Sequence, residues 1–155
     1  MTKSNRKRGY LTGFIISFLI FISSLWLLVT ASPLLLTSLL NKPYIPNGTI
    51  ITWLGLLSLP FMIFSWRKFS KINPTRISRL LNIMLAVTFI IELAWPFVSY
   101  ILAGNWSFSF SGEAAGFTGS EMAFQFFIYY TAIAVLSPLL VIITPVLFSL
   151  FKSRS

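Results

Sequence analysis

The chain contains no cysteine and no histidine, and its three acidic residues are all glutamate. Without cysteine there are no disulfides, thiolate metal sites, thiol redox relays or S-palmitoylation. Without histidine the usual haem ligand, the commonest metal ligand and the commonest general base are gone. Charge is scarce as well. Only 10% of the 155 residues are charged, against about 25% in an ordinary soluble domain. No Walker loop, dinucleotide fingerprint, metal-ligand cluster or nucleophile–base pair occurs in the sequence. These absences argue against an enzyme and against a cofactor.

What is present is apolar. Hydrophobic residues make up 56% of the chain and aromatic ones 17%. Such a composition cannot wet a water-facing surface, so the expected solvent is a lipid bilayer. Four apolar stretches, at about 11–31, 50–66, 80–103 and 122–151, are each long enough to cross it. None shows strand-like alternation, and an unpaired backbone is too costly in lipid for anything but a helix or a closed barrel. The sequence therefore predicts an all-α integral membrane four-helix bundle, with residues 1–155 forming a single transmembrane domain. A secretory signal ending at Val29-Thr30-Ala31 fits poorly, because the apolar run before it exceeds the usual 7–15 residues of a signal core.

Charge orients the spans. Lys3, Arg6, Lys7 and Arg8 precede the first stretch, and Arg67, Lys68, Lys71, Arg76 and Arg79 lie between the second and third. Lys152 and Arg154 follow the fourth, so four spans place eleven cations on one side and only Lys42 on the other. The positive-inside bias puts both termini in the cytoplasm, in the cell membrane of what reads as a bacterial cell. The loop from Arg67 to Arg79 is expected to meet anionic lipid headgroups, not nucleic acid. Trp26, Trp53, Trp66 and Trp106 lie toward the segment ends and read as interfacial anchors.

The two outer loops differ. Residues 32–48 hold Pro33, the apolar run Leu34, Leu35 and Leu36, and later Pro43 and Pro46, which suits an interfacial turn or short surface helix. Residues 104–120 begin with the alternation Trp106-Ser107-Phe108-Ser109-Phe110-Ser111, which suits a short strand or hairpin. Its aromatic side chains are expected to shelter against something apolar. Two N-x-S/T sequons, at Asn47 and Asn105, sit too close to the spans for easy glycosyl transfer.

Glu92 is the only carboxylate inside a predicted span, about 18 Å from either end at 1.5 Å per residue. Intramembrane carboxylates are costly, so they normally face the bundle interior. Helical spacing sets Thr88, Glu92, Ser99 and Ala103 on one stripe, with Trp95 and Pro96 beside it. Pro96 has no N–H for the carbonyl of Glu92, which is thereby released. Two readings stand. Glu92 is either interhelical glue, protonated and hydrogen-bonded to Thr88, Gln125 or the released carbonyl, or the carboxylate of a proton or cation site at a broken helix.

Pro33, Pro60, Pro96, Pro138 and Pro145 are tolerated kinks or hinges. Gly13, Ser17, Ser24 and Ala31, then Thr52 and Gly55, then Tyr130, Ser137 and Thr144, form stripes suited to close helix packing. The function expected is that of a small non-catalytic polytopic membrane protein, an accessory or structural subunit of a larger complex. It would pack on a membrane-protein partner or on copies of itself. The alternative is a small proton- or cation-coupled transporter built on Glu92.

Overall fold

The computed structural model describes residues 3–38, 45–70, 76–106 and 116–152. Among them are four long helices: α1 (Lys3–Val29), α2 (Asn47–Phe69), α3 (Arg76–Ala103) and α4 (Glu121–Lys152). A single 3-10 turn, Pro33–Leu35, lies between α1 and α2. No strand occurs among the described residues; the nearest thing is an isolated antiparallel bridge between Ser38 and Pro46. All four helices are long and apolar enough to cross a membrane. The alternating segment that suggested a hairpin, residues 107–111, lies outside the described residues.

The helices overrun the apolar stretches, most clearly at the start of α1. Lys and Arg are good helix formers, so the basic residues from Lys3 to Arg8 continue the helix instead of ending it. The prolines do not break their helices either. α2 runs through Pro60, α3 through Pro96, and α4 through Pro138 and Pro145.

Neighbouring helices are antiparallel. Phe14 of α1 meets Trp66 of α2, with ring centroids 5.3 Å apart, while Ser24 faces Gly55. Trp53 of α2 reaches Glu92 of α3, and Tyr130 of α4 reaches Ile91. The start of α1, the end of α2, the start of α3 and the end of α4 therefore share one end of the bundle. That end carries Arg67, Lys68 and Arg79. α2 packs against each of the other three helices, whereas α1 packs on α2 and the 3-10 turn alone.

Burial is inverted relative to a water-soluble protein. Ser17, Ser24, Ser58, Ser65, Thr88, Glu92 and Ser99 are buried, while Leu19, Ile83, Ile90, Ile101, Phe126 and Leu140 face outward. In water these outward faces would form an apolar patch far larger than a soluble monomer tolerates. In lipid they cost nothing, and the small polar residues inside let helix backbones approach. This is the pattern of a multi-pass membrane protein.

The loop ends are tied to the helices. α3 ends at Gly104, whose φ of +76° is disfavoured for any residue with a Cβ. A Cβ there would also lie 2.5 Å from the Thr118 hydroxyl oxygen. Thr118 donates from both N–H and Oγ1 to the carbonyl of Ala103. Trp106 stacks on Tyr100 at 4.5 Å, and its carbonyl accepts from Thr49 at the start of α2. Phe117 packs edge-on against Phe124 at 5.2 Å. Trp106 is thus sheltered by the bundle, as expected; Phe108 and Phe110 lie outside the described residues.

Both sequon amides are already engaged. Asn47 Nδ2 donates to Thr37 Oγ1 at 2.8 Å, and Asn105 Nδ2 to the Gly116 carbonyl at 2.9 Å.

Candidate functional site

The buried face of α3 is a seven-residue repeat. Leu81, Leu85, Thr88, Glu92, Trp95, Ser99 and Ala103 are all buried, spaced alternately four and three residues apart until the last step. This is the spacing that keeps one helix face against its neighbours in a left-handed supercoil. Its lower part is apolar, with Leu81 and Leu85 against Ile63 and Val141. Its upper part is polar, and there Glu92 and Ser99 are wholly inaccessible at 0% exposure.

Pro96 determines the local chemistry. It cannot donate to the carbonyl four residues earlier, so the backbone oxygen of Glu92 loses its helical partner. Trp53 of α2 supplies a substitute: its indole N–H donates to that oxygen at 3.1 Å. One residue away, the Tyr130 hydroxyl of α4 donates to the Ile91 carbonyl at 2.7 Å. Trp95 then donates from its indole to Thr131 Oγ1 of α4 at 3.1 Å. The turn of α3 before Pro96 is therefore held from α2 on one side and from α4 on the other. Each contact joins a long amphipathic ring to a group that would otherwise be unpaired or underused in the bundle core.

The carboxyl of Glu92 takes no part. Both of its oxygens are buried without a hydrogen-bond partner, as are the hydroxyls of Ser99 and Thr52. The side-chain hydrogen bonds expected of an interhelical glue are not formed. The carboxyl bonds neither Thr88 nor a backbone carbonyl, although Thr88 is buried on the same face as anticipated. Gln125 is not at the site at all; it lies on the exposed side of α4. The inner face of α4 is set by Phe127, Ala134, Pro138 and Val141. At about 100° per residue, Gln125 points well away from Phe127 and from Tyr130.

Trp53, expected as an interfacial anchor, is half-buried and donates across the bundle to α3. Trp66, by contrast, is exposed at the basic end among Phe14 and Phe69, where an anchor belongs. Among the packing stripes, Gly13 meets Ser65, Gly55 meets Ser24, and Ser17 is buried. Ala31 drops out of the first stripe, because the helix has ended and Ala31 turns to a φ of +46°. Pro138 is buried, and Ser137 Oγ donates to the Ala134 carbonyl that it releases, at 3.4 Å.

Among the described residues no three acidic side chains come together. Glu92 thus offers a single carboxylate in a neutral setting of hydroxyls, indoles and alkyl groups. No protein-family model, curated protein or solved structure matches the chain.

Proposed function

We propose that this chain is a non-catalytic, membrane-embedded accessory or structural subunit of the cell membrane, with both termini in the cytoplasm. The observation that carries the reading is the double hold on α3. A transporter's broken helix offers released carbonyls to its ion and changes shape around it. Here the released Glu92 carbonyl is occupied by Trp53 and its neighbour by Tyr130. A turn held in this way is braced, which suits a scaffold that presents a fixed lipid-facing surface to a partner chain. The basic end, with Arg67, Lys68 and Arg79, supports cytoplasmic placement through the positive-inside bias.

One observation favours a second reading, a proton- or cation-coupled transporter. A buried carboxyl with both oxygens unpartnered costs free energy, and a residue that costs stability is kept for some use. Reconstitution into vesicles carrying a trapped pH-sensitive dye separates the two. The scaffold reading predicts no flux of protons or monovalent cations under an imposed gradient. It also predicts a co-purifying membrane chain at fixed stoichiometry in mild detergent. Proton flux that Glu92→Gln abolishes without lowering thermal stability would overturn the scaffold reading in favour of the transporter.

A further inference from the structure

The basic end of the bundle contains a cleft of about 480 Å³, within the roughly 300–1,000 Å³ of small-ligand sites. All four helices contribute to it. Phe14 comes from α1, Met62 and Ile63 from α2, Leu81 from α3, and Val141 and Ile142 from α4. Apart from Arg67 and Ser78 its walls are apolar or aromatic.

Arg67 lies in the last turn of α2. Its Nη2 donates to the carbonyl and to Oγ of Ser78, at 3.3 Å each. Nε and Nη1 are buried with no partner. A guanidinium cannot shed its charge, and a desolvated cation without a counter-charge is among the costliest groups to bury. Among the described residues the walls supply no anion, so the site is complementary to one. Exposed Lys68 and Arg79 at the same end add positive potential, which selects a ligand with net negative charge. The apolar walls select an alkyl chain.

We propose that this cleft binds one anionic phospholipid, with an acyl chain between the helices and the headgroup phosphate on Arg67. The guanidinium turns its free donors from the protein interior toward the phosphate and keeps or exchanges its contact with Ser78. The assignment rests on the membrane-spanning reading but not on the choice between scaffold and transporter. Such a lipid would join α1, which packs on no long helix but α2 among the described residues, to α4 across the cleft, and so complete the packing at this end.

The test is native mass spectrometry of the full chain in detergent, titrated with phosphatidylglycerol or phosphatidylcholine, beside flotation with vesicles of each lipid. The expected result is a one-to-one phosphatidylglycerol adduct, about ten-fold tighter than the phosphatidylcholine one, because the choline cation of the latter offsets the phosphate charge that Arg67 meets. Arg67→Gln should remove that ten-fold preference and Lys68→Gln should leave most of it. Ile142→Trp fills the cleft from a residue that is exposed to it, leaves Arg67 intact and should abolish the adduct. Because it does not depend on Arg67→Gln folding, it keeps the test decisive.

Equal binding of the two lipids, or equal losses in Arg67→Gln and Lys68→Gln, would overturn the site and leave only diffuse attraction to the basic end. Displacement of the adduct by inorganic phosphate, or a second copy of the chain appearing in its place, would overturn it too. A chain that floats with vesicles yet forms no adduct refutes the site alone. One that floats with neither vesicle refutes the membrane reading and the site together.

Discussion

The α1–α2 seam and the junction of α3 with its neighbours solve the same problem in opposite ways. At the seam, small residues bring two backbones together: Gly13 against Ser65 and Gly55 against Ser24. Around α3, large rings reach across to backbone oxygens: Trp53 to Glu92 and Tyr130 to Ile91. In lipid there is little hydrophobic drive between helices, so association depends on dispersion at close range and on hydrogen bonds. α1 has no proline and no spare backbone groups, so the seam uses the first. α3 has released one carbonyl at Pro96 and can use the second. The proline thus opens one such contact without deciding the interface, since the Ile91 carbonyl keeps its helical partner and still accepts from Tyr130.

The contrast is testable by substitutions that harm one interface and spare the other. The largest effect is expected at the seam. A Cβ on Gly55 would lie 2.9 Å from Ser24 Cβ, so Gly55→Leu forces α1 away from α2. Overpacking of this kind costs about 1–3 kcal/mol, and here the upper end applies because α1 has no other helix to lean on. A lowered melting temperature in detergent, with faster amide exchange confined to α1 and α2, would show it.

Around α3, Trp53→Phe keeps the ring and loses the N–H. The Glu92 carbonyl is then buried without a partner, at a cost of about 1–3 kcal/mol. Exchange should quicken in α3 near Pro96 and not in α1. Tyr130→Phe is milder, about 0.5–1.5 kcal/mol, because Pro96 does not deprive the Ile91 carbonyl of its helical partner. The smallest effect is expected at Gly13→Ala. There the nearest atom is the Ser65 hydroxyl oxygen, 3.1 Å from the added carbon, which can turn aside. A loss of only a few tenths of a kcal/mol, within the usual scatter of mild substitutions, would confirm that the seam pivots on Gly55.

Much of this arrangement is legible in the sequence. Four apolar runs and one-sided charge lead to four helices with their basic ends together. The stripes through Gly13, Ser24 and Gly55 find the seam. The stripe Tyr130, Ser137 and Thr144 marks the inner face of α4 and leaves Gln125 off it. Trp53 lies near a segment end. Yet Trp53 and Glu92 are equally far from the middle of the intervening loop, so antiparallel helices bring them to one depth. A carbonyl released by Pro96 needs a donor there.

What the sequence could not show is that the Glu92 carboxyl goes unpaired. Spacing along one helix places a residue on a face but does not tell which neighbour presents a donor. That depends on the relative rotation of three helices, which the aromatic side chains between them determine.

The central claim is that α3 is braced through its backbone just before Pro96 and not through the carboxyl of Glu92. The most direct test compares the thermal unfolding of Trp53→Phe and Glu92→Leu in the same detergent. Replacing an unpartnered buried polar group by an apolar one of similar size is neutral or stabilising. Glu92→Leu should therefore melt no lower than the parent, while Trp53→Phe should melt clearly lower. The reverse order, with Glu92→Leu destabilised and Trp53→Phe unchanged, would contradict the account and return the bracing role to the carboxyl.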